Sequence, residues 1–318
     1  MTALMPSRKT SLAVFFAALL AVGAFTPAYQ LIGLNQHMFL AANVLALNFC
    51  LGLGGQISLA QGAFAGIGAY ASVLLHARFP GATLLIAPAV VVGVGLLAAL
   101  VSRPMERLGE GFLAMATLCV SLVTINLALT LESVTGGSAG LMVERRLALP
   151  GVGELAGDRM TFFLFTLLLA VGAYVFLAVR DSRLGRALAA CRDDRFAASS
   201  LGVDRPAVRA ISFGLGGGFS AAAGVIHGHY IGFISPEQFN LELSLKALLF
   251  LVIGGPGNLL RPILAALVLE TAMSQMQFLG DARTLVNGLL LGAALLAGFL
   301  RSAVGIVSIQ KYTLFLKK

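Results

Sequence analysis

Apolar residues occur in long unbroken runs along this chain, and polar residues gather in the stretches between them. Runs of about 20 apolar residues have the length that an α-helix needs to cross a bilayer. One run of about 13 residues, 243–255, is short for a crossing and predicts a broken or re-entrant segment. The pattern predicts an all-α polytopic transmembrane bundle of about 8–10 spans. The predicted spans lie near 11–30, 36–53, 57–77, 82–102, 111–131, 161–179, 210–232, 243–255, 259–278 and 285–300.

Composition agrees with this interpretation. Hydrophobic residues make up 58% of the 318 residues and charged residues 11%, whereas a soluble domain carries about 25% charged residues. Outer-membrane barrels would show short alternating segments instead. We therefore expect one transmembrane domain, 1–318, without a separate soluble domain. The first run, 11–30, is long for a signal peptide, so we expect an uncleaved first span rather than a removable leader.

The distribution of charge predicts an orientation. Basic residues mark the cytoplasmic side of membrane proteins, and with ten crossings most of the 22 basic residues fall on one side. Both termini and the segment 180–209 are then cytoplasmic, and the Gly- and Pro-containing segment 132–160 is a periplasmic loop. The net charge of +8 thus indicates membrane topology rather than nucleic-acid binding.

The sequence lacks the patterns that nucleotide or metal chemistry requires. No glycine cluster is followed by the Lys-Ser/Thr of a phosphate-binding loop, so the chain is expected to hydrolyse no nucleotide by itself. His227 and His229 are two residues apart and point to different faces of a helix, which makes them a poor metal pair. We expect no catalytic residue, no metal and no cofactor in this chain.

The stretch GLGGQISLAQGAFAGIGAY, 52–70, combines glycines with polar side chains at membrane depth. A helix that begins after Gly54–Gly55 places small and polar residues along one face. Its small-xxx-small pairs allow close helix approach, whereas its glutamines and serine are candidates for lining a polar pathway. Plain helix packing is the alternative for the glycines. The packing candidates are Gly62, Gly66, Ala65 and Ala69, and the pathway candidates are Gln56, Ser58 and Gln61.

Two ionisable residues, Lys246 and Glu270, lie in apolar surroundings, where a charge suggests a functional or paired role. The alternatives are that Lys246 extends to an interface and that Glu270 lies near its own interface or is protonated. A direct pair between them is also open.

The segment 180–209 contains a helix-compatible run, GRALAACRDDRFAASS, among seven arginines. Asp181 or Ser182 can cap its start, and Gly202 can end it in a left-handed conformation. Arg205-Pro206 is expected to break the chain before the next span. Its small residues can dock against a protein partner, although a solvated loop that only marks the cytoplasm is the alternative.

Four blocks of this sequence, in order, resemble LivM-type permeases. They are NFCLGLGGQISLAQGAFAGIGAYAS, TGGSAGL at 135–141, SRLGRALAACRDDRFAASSLGVD at 182–204, and HYIGFISPEQFNLELSLKALLFLVIGGPGNLLRPILAALVLE at 229–270. The resemblance covers most of the chain from about residue 36. The SLAQG stretch fits the LivM type better than the companion LivH type, which usually has N-F-A-H-G there.

The resemblance implies a permease subunit of a bacterial ABC importer in the inner membrane, typically for branched-chain amino acids. It implies a LivH-type second permease, two cytoplasmic ATPases that use ATP-Mg, and a periplasmic substrate-binding protein. Residues 185–204 would then form the segment that couples to an ATPase. The implied coupling residues are Gly185, Arg186, Arg192, Asp193, Asp194, Arg195 and Gly202.

Two departures from the family pattern and two other functional interpretations stand beside the importer. Gln61 stands where LivM-type permeases commonly have His, which leaves urea and short amides as alternative solutes. The family also often has an acidic residue or a proline near the position of Arg195-Phe196. The rival is a stand-alone ion-coupled transporter or channel that uses Glu270 or Lys246. A non-transporting membrane scaffold is a third reading.

Overall fold

The computed structural model describes residues 8–79, 82–105, 110–143, 148–149, 153–154 and 157–275. The chain in these ranges is essentially all-α, as predicted. Its α-helices are α1 (Arg8–Phe25), α2 (Ala28–Asn48), α3 (Gln61–Arg78), α4 (Thr83–Met105), α5 (Glu110–Thr130), α6 (Glu132–Thr135), α7 (Asp158–Asp181), α8 (Arg183–Asp193), α9 (Arg195–Ser200), α10 (Arg205–Ile231), α11 (Leu241–Gly254) and α12 (Leu260–Gln275). A π-helical turn, Phe49–Leu53, continues α2.

Short strands and 3-10 turns lie in the connections. Strand β1 (Leu141–Met142) pairs antiparallel with β4 (Phe233–Ile234) and so ties the chain after α5 to the chain after α10. Strands β2 (Ala148–Leu149) and β3 (Gly153–Glu154) pair with each other. The 3-10 turns are Gly137–Ala139 and Pro236–Phe239.

Five helices in the described part of the chain are long and apolar enough to cross a membrane by themselves. They are Ala28–Leu53, Leu85–Met105, Phe112–Thr130, Asp158–Asp181 and Arg205–Ile231. Helix α11 has 14 residues, which agrees with the short eighth segment predicted from the sequence. The predicted span 285–300 and the end of 259–278 lie outside the described residues.

Some predicted boundaries were wrong. The predicted spans 11–30 and 36–53 place the break between the first two helices too late. Helix α1 ends at Phe25, and Pro27, whose backbone is extended, directly precedes α2. The loop 132–160 contains the one-turn helix α6, and α7 already begins at Asp158. Pro206 does not break the chain: it lies in the first turn of α10, where a proline has no intrahelical hydrogen bond to lose.

Helix α10 is the central element of the bundle, and α2, α3, α4 and α7 pack around it. Its glycines permit close approach: a Cβ at Gly224 would collide with the backbone of Ala65, and one at Gly228 would lie 3.1 Å from the Cβ of Ala69 in α3. With 27 residues, α10 is about 40 Å long. We call its Arg205 end the inner end and its Ile231 end the outer end, following the orientation predicted from charge.

Helices α3 and α11 both begin near the middle of α10. Ser220, which lies close to that midpoint, donates to the carbonyl oxygen of Gln61 over 2.8 Å. The amide of Gly62 in turn donates to Ser244 Oγ in α11 over 2.9 Å. With 18 and 14 residues, these helices are about 27 and 21 Å long, below the hydrocarbon thickness of about 30 Å. They run from mid-depth toward opposite ends of the bundle.

Candidate functional site

The segment between Gly55 and Gln61 connects the inner end of α2 to the mid-depth start of α3 without helical structure. The prediction that this helix begins directly after Gly54–Gly55, with Ser58 on its face, was wrong. Gly55 has a φ of +66°, which ends the helical turn, and the helix resumes only at Gln61. Non-helical backbone at this depth is tolerated because protein surrounds it.

The three pathway candidates are completely buried. Gln56, Ser58 and Gln61 have 0% exposure. Gln61 Nε2 lies 3.6 Å from Cys50 Sγ, and Ser58 Oγ accepts from the amide of Ala60 over 3.3 Å. These contacts hold the broken segment in place, and a pathway role stays a prediction.

The small residues of α3 serve two different neighbours. A Cβ at Gly62 would lie 2.7 Å from the carbonyl oxygen of Asn240, and one at Gly66 would lie 3.0 Å from Phe239. Ala65 and Ala69, on another side of the helix, meet the glycines of α10. One side of α3 therefore seats the turn before α11, and the other seats α10.

The segment 180–209 folds as two short helices, α8 and α9, before α10 begins, and side-chain caps start both. Ser182 accepts from the amide of Gly185 at the start of α8. Asp194 accepts from the amides of Phe196 and Ala197 over 2.8 and 3.1 Å at the start of α9. These two hydrogen bonds hold the pKa of the Asp194 carboxyl below its ordinary value, and the one from the Ala197 amide has the larger effect, followed by the one from the Phe196 amide. Gly202, with φ of +79°, follows α9 in the left-handed conformation.

The other predicted coupling residues occupy distinct positions on this segment. Gly185 is buried against the carbonyls that end α7, where any side chain would collide with Arg180 and Val179. Arg186 donates to the carbonyl oxygen of Asp181 over 3.3 Å, and Asp193 lies 3.4 Å from Arg192. The side chain of Arg195 lies outside the described residues. Phe196 and Leu201 are 73% and 81% exposed, so the segment presents apolar side chains among its charges.

Arginines of the segment 180–209 bind the turn that ends α2. Arg192 Nη1 donates to the carbonyl oxygen of Gly52 over 2.9 Å, and its methylene stem covers Gly55. Arg209, at the inner end of α10, is 1% exposed and donates to the carbonyl oxygens of Gly54 and Gly55 over 3.1 and 3.3 Å. Cationic donors thus satisfy the carbonyls that the broken helix leaves open.

Asn48 joins the same turn to the loop between α11 and α12. Its Oδ1 accepts from the amide of Gly257 over 2.9 Å, and its Nδ2 donates to the carbonyl oxygen of Asn258 over 2.6 Å. We call the set Asn48, Gly52, Gly54, Gly55, Arg192, Arg209, Gly257 and Asn258 the inner hub. It connects α2, α8, α10 and the α11–α12 loop at one level of the bundle.

A polar cavity of about 590 Å³ opens between α2, α10, α11 and α12. Lys246 Nζ lies 3.0 Å from Glu242 Oε1 and 3.7 Å from Glu270 Oε1, so the structure contains the pair that the sequence left open. Thr271 Oγ1 and His37 Nδ1 are 3.0 Å apart beside it. His227 stacks on Phe39 with ring centroids 3.9 Å apart, while His229 bonds Ser72 on another side of α10. The described residues contain no group of three potential metal ligands.

Sequence reasoning missed several members of these sites. Asn48 and Arg209 look like ordinary residues at the ends of apolar runs, and their partners are 210 and 155 residues away. Glu242 was detectable, because Glu and Lys four residues apart on a helix face each other. His37 follows Asn35 and Gln36 at the start of an apolar run, and its partner Thr271 is 234 residues away.

Comparison with known proteins identifies the relatives of this bundle. Residues 29–298 match the family described as the permease component of the branched-chain amino acid transport system. The chain belongs to this family. No solved structure matches the chain. Family membership and the five long apolar helices identify a multi-pass membrane protein.

Individual relatives agree. The permease protein LivM of the high-affinity branched-chain amino acid transport system in Escherichia coli (strain K12) is 30% identical over 270 residues, covering 77% of this chain and 63% of LivM. LivH from Salmonella typhimurium (strain LT2) is 27% identical over 238 residues, covering 70% of this chain and 76% of LivH. LsrC, the autoinducer 2 import system permease of Salmonella paratyphi B, is 40% identical over 91 residues, covering 29% of this chain and 25% of LsrC. The chain spans about three fifths of the length of the LivM relatives it matches.

Proposed function

We propose that this chain is the permease subunit of an ABC importer that moves branched-chain amino acids, or a related small polar solute, across the bacterial inner membrane. The main support for this proposal is that a member of this permease family contains the inner hub. A capped cytoplasmic helix pair with exposed apolar side chains is joined through Arg192 to the broken end of a membrane helix. Such a connection can pass a movement at the cytoplasmic surface into the bundle.

The mechanism follows from the hub. The partner ATPases bind α8 and α9 and use ATP-Mg, while this chain carries no cofactor and catalyses no reaction. Movement of α8 displaces the turn at Gly52 through Arg192. The displaced turn moves the extended segment 55–61 and the start of α3, and Asn48 moves the α11–α12 loop with it. Because α3 and α11 both begin at mid-depth, this shift alternates access to the centre of the bundle.

The subunit arrangement follows the same reasoning. A LivH-type second permease completes the membrane domain, and a periplasmic binding protein delivers the solute to the outer connections, including the β1–β4 pair. The N- and C-termini and the inner hub then face the cytoplasm. Gln61, which stands where His is common in the family, leaves urea and short amides as alternative solutes.

Copurification tests the proposal against the rival of a stand-alone ion-coupled transporter. An affinity-tagged chain, expressed with its neighbouring genes and purified in mild detergent, is expected to bring down an ATPase and a second permease. Replacing Phe196 and Leu201 by Ser should release the ATPase and retain the second permease. Purification of the chain without an ATPase, together with gradient-driven uptake, would contradict the proposal.

A further inference from the structure

Charged and apolar side chains both line the polar cavity. Lys246 lies between two carboxylates, those of Glu242 and Glu270. Its side chain is 21% exposed and that of Glu270 is 10% exposed, so the pair is largely withdrawn from solvent. Burying an ion pair is often less favourable than burying apolar residues of the same volume. Ionisable groups at membrane depth therefore indicate a function.

Apolar side chains also face this cavity. Phe39, Leu40 and Leu243 line it together with Ile231 from the outer end of α10. The stacked ring of His227 supports Phe39 from α10, which restricts the movement of that part of the wall. The cavity extends from the outer end of α10 at Ile231 to Lys246 on α11, beyond the mid-depth start of that helix. Its lining therefore runs from the outer end of α10 to the level at which the bundle is broken.

We infer that this cavity is the binding site for a zwitterionic amino acid with an apolar side chain. The solute carboxylate pairs with the ammonium of Lys246, and the solute ammonium pairs with Glu270 and Glu242. In this exchange the solute carboxylate takes the place of the glutamates beside Lys246, and the solute ammonium takes the place of Lys246 beside the glutamates. Each charged group therefore keeps a partner of opposite charge. The aliphatic side chain of the solute lies against Phe39, Leu40 and Leu243. This inference rests on the proposed function and names the solute class and its site.

Neutral amides are disfavoured by the same arrangement. A neutral amide carries only dipoles, so it cannot replace either charge when it separates Lys246 from its carboxylates. The cost of leaving a buried charge without its partner exceeds the gain from neutral hydrogen bonds. The cavity therefore selects amino acids over short amides.

The test measures retention of radiolabelled L-leucine by the assembled importer in lipid nanodiscs, without binding protein and without ATP. The competitors are 3-methylbutylamine, which lacks the carboxylate, 3-methylbutanoate, which lacks the ammonium, and 3-methylbutanamide, which is neutral. Leucine is expected to bind about tenfold more tightly than each competitor, because each lacks at least one charged contact. Lys246→Gln should remove the tighter binding of leucine relative to 3-methylbutylamine. Glu270→Gln should remove the tighter binding of leucine relative to 3-methylbutanoate.

Lys246→Arg is the matched variant, because it keeps the charge and should retain leucine within about threefold of the unmodified chain. The inference is overturned if 3-methylbutanamide competes as well as leucine, or if Lys246→Gln binds leucine unchanged. Those outcomes are compatible with ATP-driven uptake and therefore do not contradict the proposed function. Conversely, leucine retention in a chain whose uptake ignores ATP would overturn the proposed function and keep this site.

Discussion

Arg192 and Gly52 are 140 residues apart in the sequence, and a hydrogen bond of 2.9 Å joins them in the folded chain. The arginine belongs to α8, in the segment 180–209, and the carbonyl belongs to the turn that ends α2. Because the rest of α8 is held by caps and by the end of α7, this bond is a direct route from the coupling segment to the broken membrane helix.

Arg192→Ala should uncouple transport from ATP hydrolysis. The substitution removes the donor to Gly52 and the stem that covers Gly55, so movement of α8 no longer reaches α2. We expect uptake to fall several-fold while ATPase copurification persists, because a charged hydrogen bond contributes about 1.5–3 kcal/mol and partial exposure reduces that figure. Arg183→Ala, on the exposed side of the same helix, is the control. Equal losses in both variants would mean that the Gly52 bond has no special role.

Gly62→Leu should prevent the turn before α11 from seating on α3. An added Cβ already lies 2.7 and 2.8 Å from the carbonyl oxygens of Asn240 and Phe239, so the backbone must shift. Even Gly62→Ala is expected to cost about 1–3 kcal/mol through overpacking. Gly93→Ala, in a helix position with open space around it, should be neutral or slightly stabilising. Thermal unfolding in detergent compares them, and equal melting temperatures for the two alanine variants would refute the close contact.

Asn48→Ala should loosen the inner hub. It leaves the Gly257 amide and the Asn258 carbonyl without their side-chain partner, at a cost of about 1–3 kcal/mol for each group that stays buried. Asn126→Ala is the comparison, because that amide only donates to a carbonyl of its own helix on an exposed face. Limited proteolysis at the 255–258 loop should accelerate in the first variant only. Similar digestion rates would show that Asn48 does not hold the loop.

The Asp194 cap predicts how α9 responds to acid. Hydrogen bonds from Ala197 and Phe196 lower the pKa of this carboxyl in the folded chain. The cap therefore contributes fully above the ordinary pKa of 3.8 and is lost as the pH falls through the lowered value. We expect amide exchange at residues 196 and 197, corrected for intrinsic rates, to be unchanged between pH 8 and pH 5, within about twofold. Asp194→Ala should accelerate it at every pH, and Asp194→Ser should restore protection. An unprotected amide pair in the unmodified chain would contradict the cap.

The sequence predicted what local patterns determine. Long apolar runs gave the all-α bundle, the short run 243–255 gave the half-length helix α11, and Ser182 and Gly202 marked the ends of the cytoplasmic helices. The prediction that Arg205-Pro206 breaks the chain was wrong, because a proline can follow the end of one helix or stand in the first turn of the next.

Contacts between distant segments could not be predicted in this way. Ser58 was assigned to a helical face because spacing alone does not show that the chain stays extended until Gln61. The inner hub and the polar cavity depend on residues that only the packing of α2, α10 and α11 brings together. Lys246 and Glu270 were visible as charges in apolar runs, but their separation depends on how α12 returns beside α11.

ATP-dependent uptake by the reconstituted complex distinguishes the proposed importer from an ion-coupled transporter. Proteoliposomes that contain this chain, its second permease and the ATPases are supplied with a loaded binding protein outside and ATP-Mg inside. We expect the solute to accumulate only with ATP, and accumulation to survive ionophores that collapse ion gradients. Uptake by this chain alone that persists without ATP and disappears with the ion gradient would contradict it.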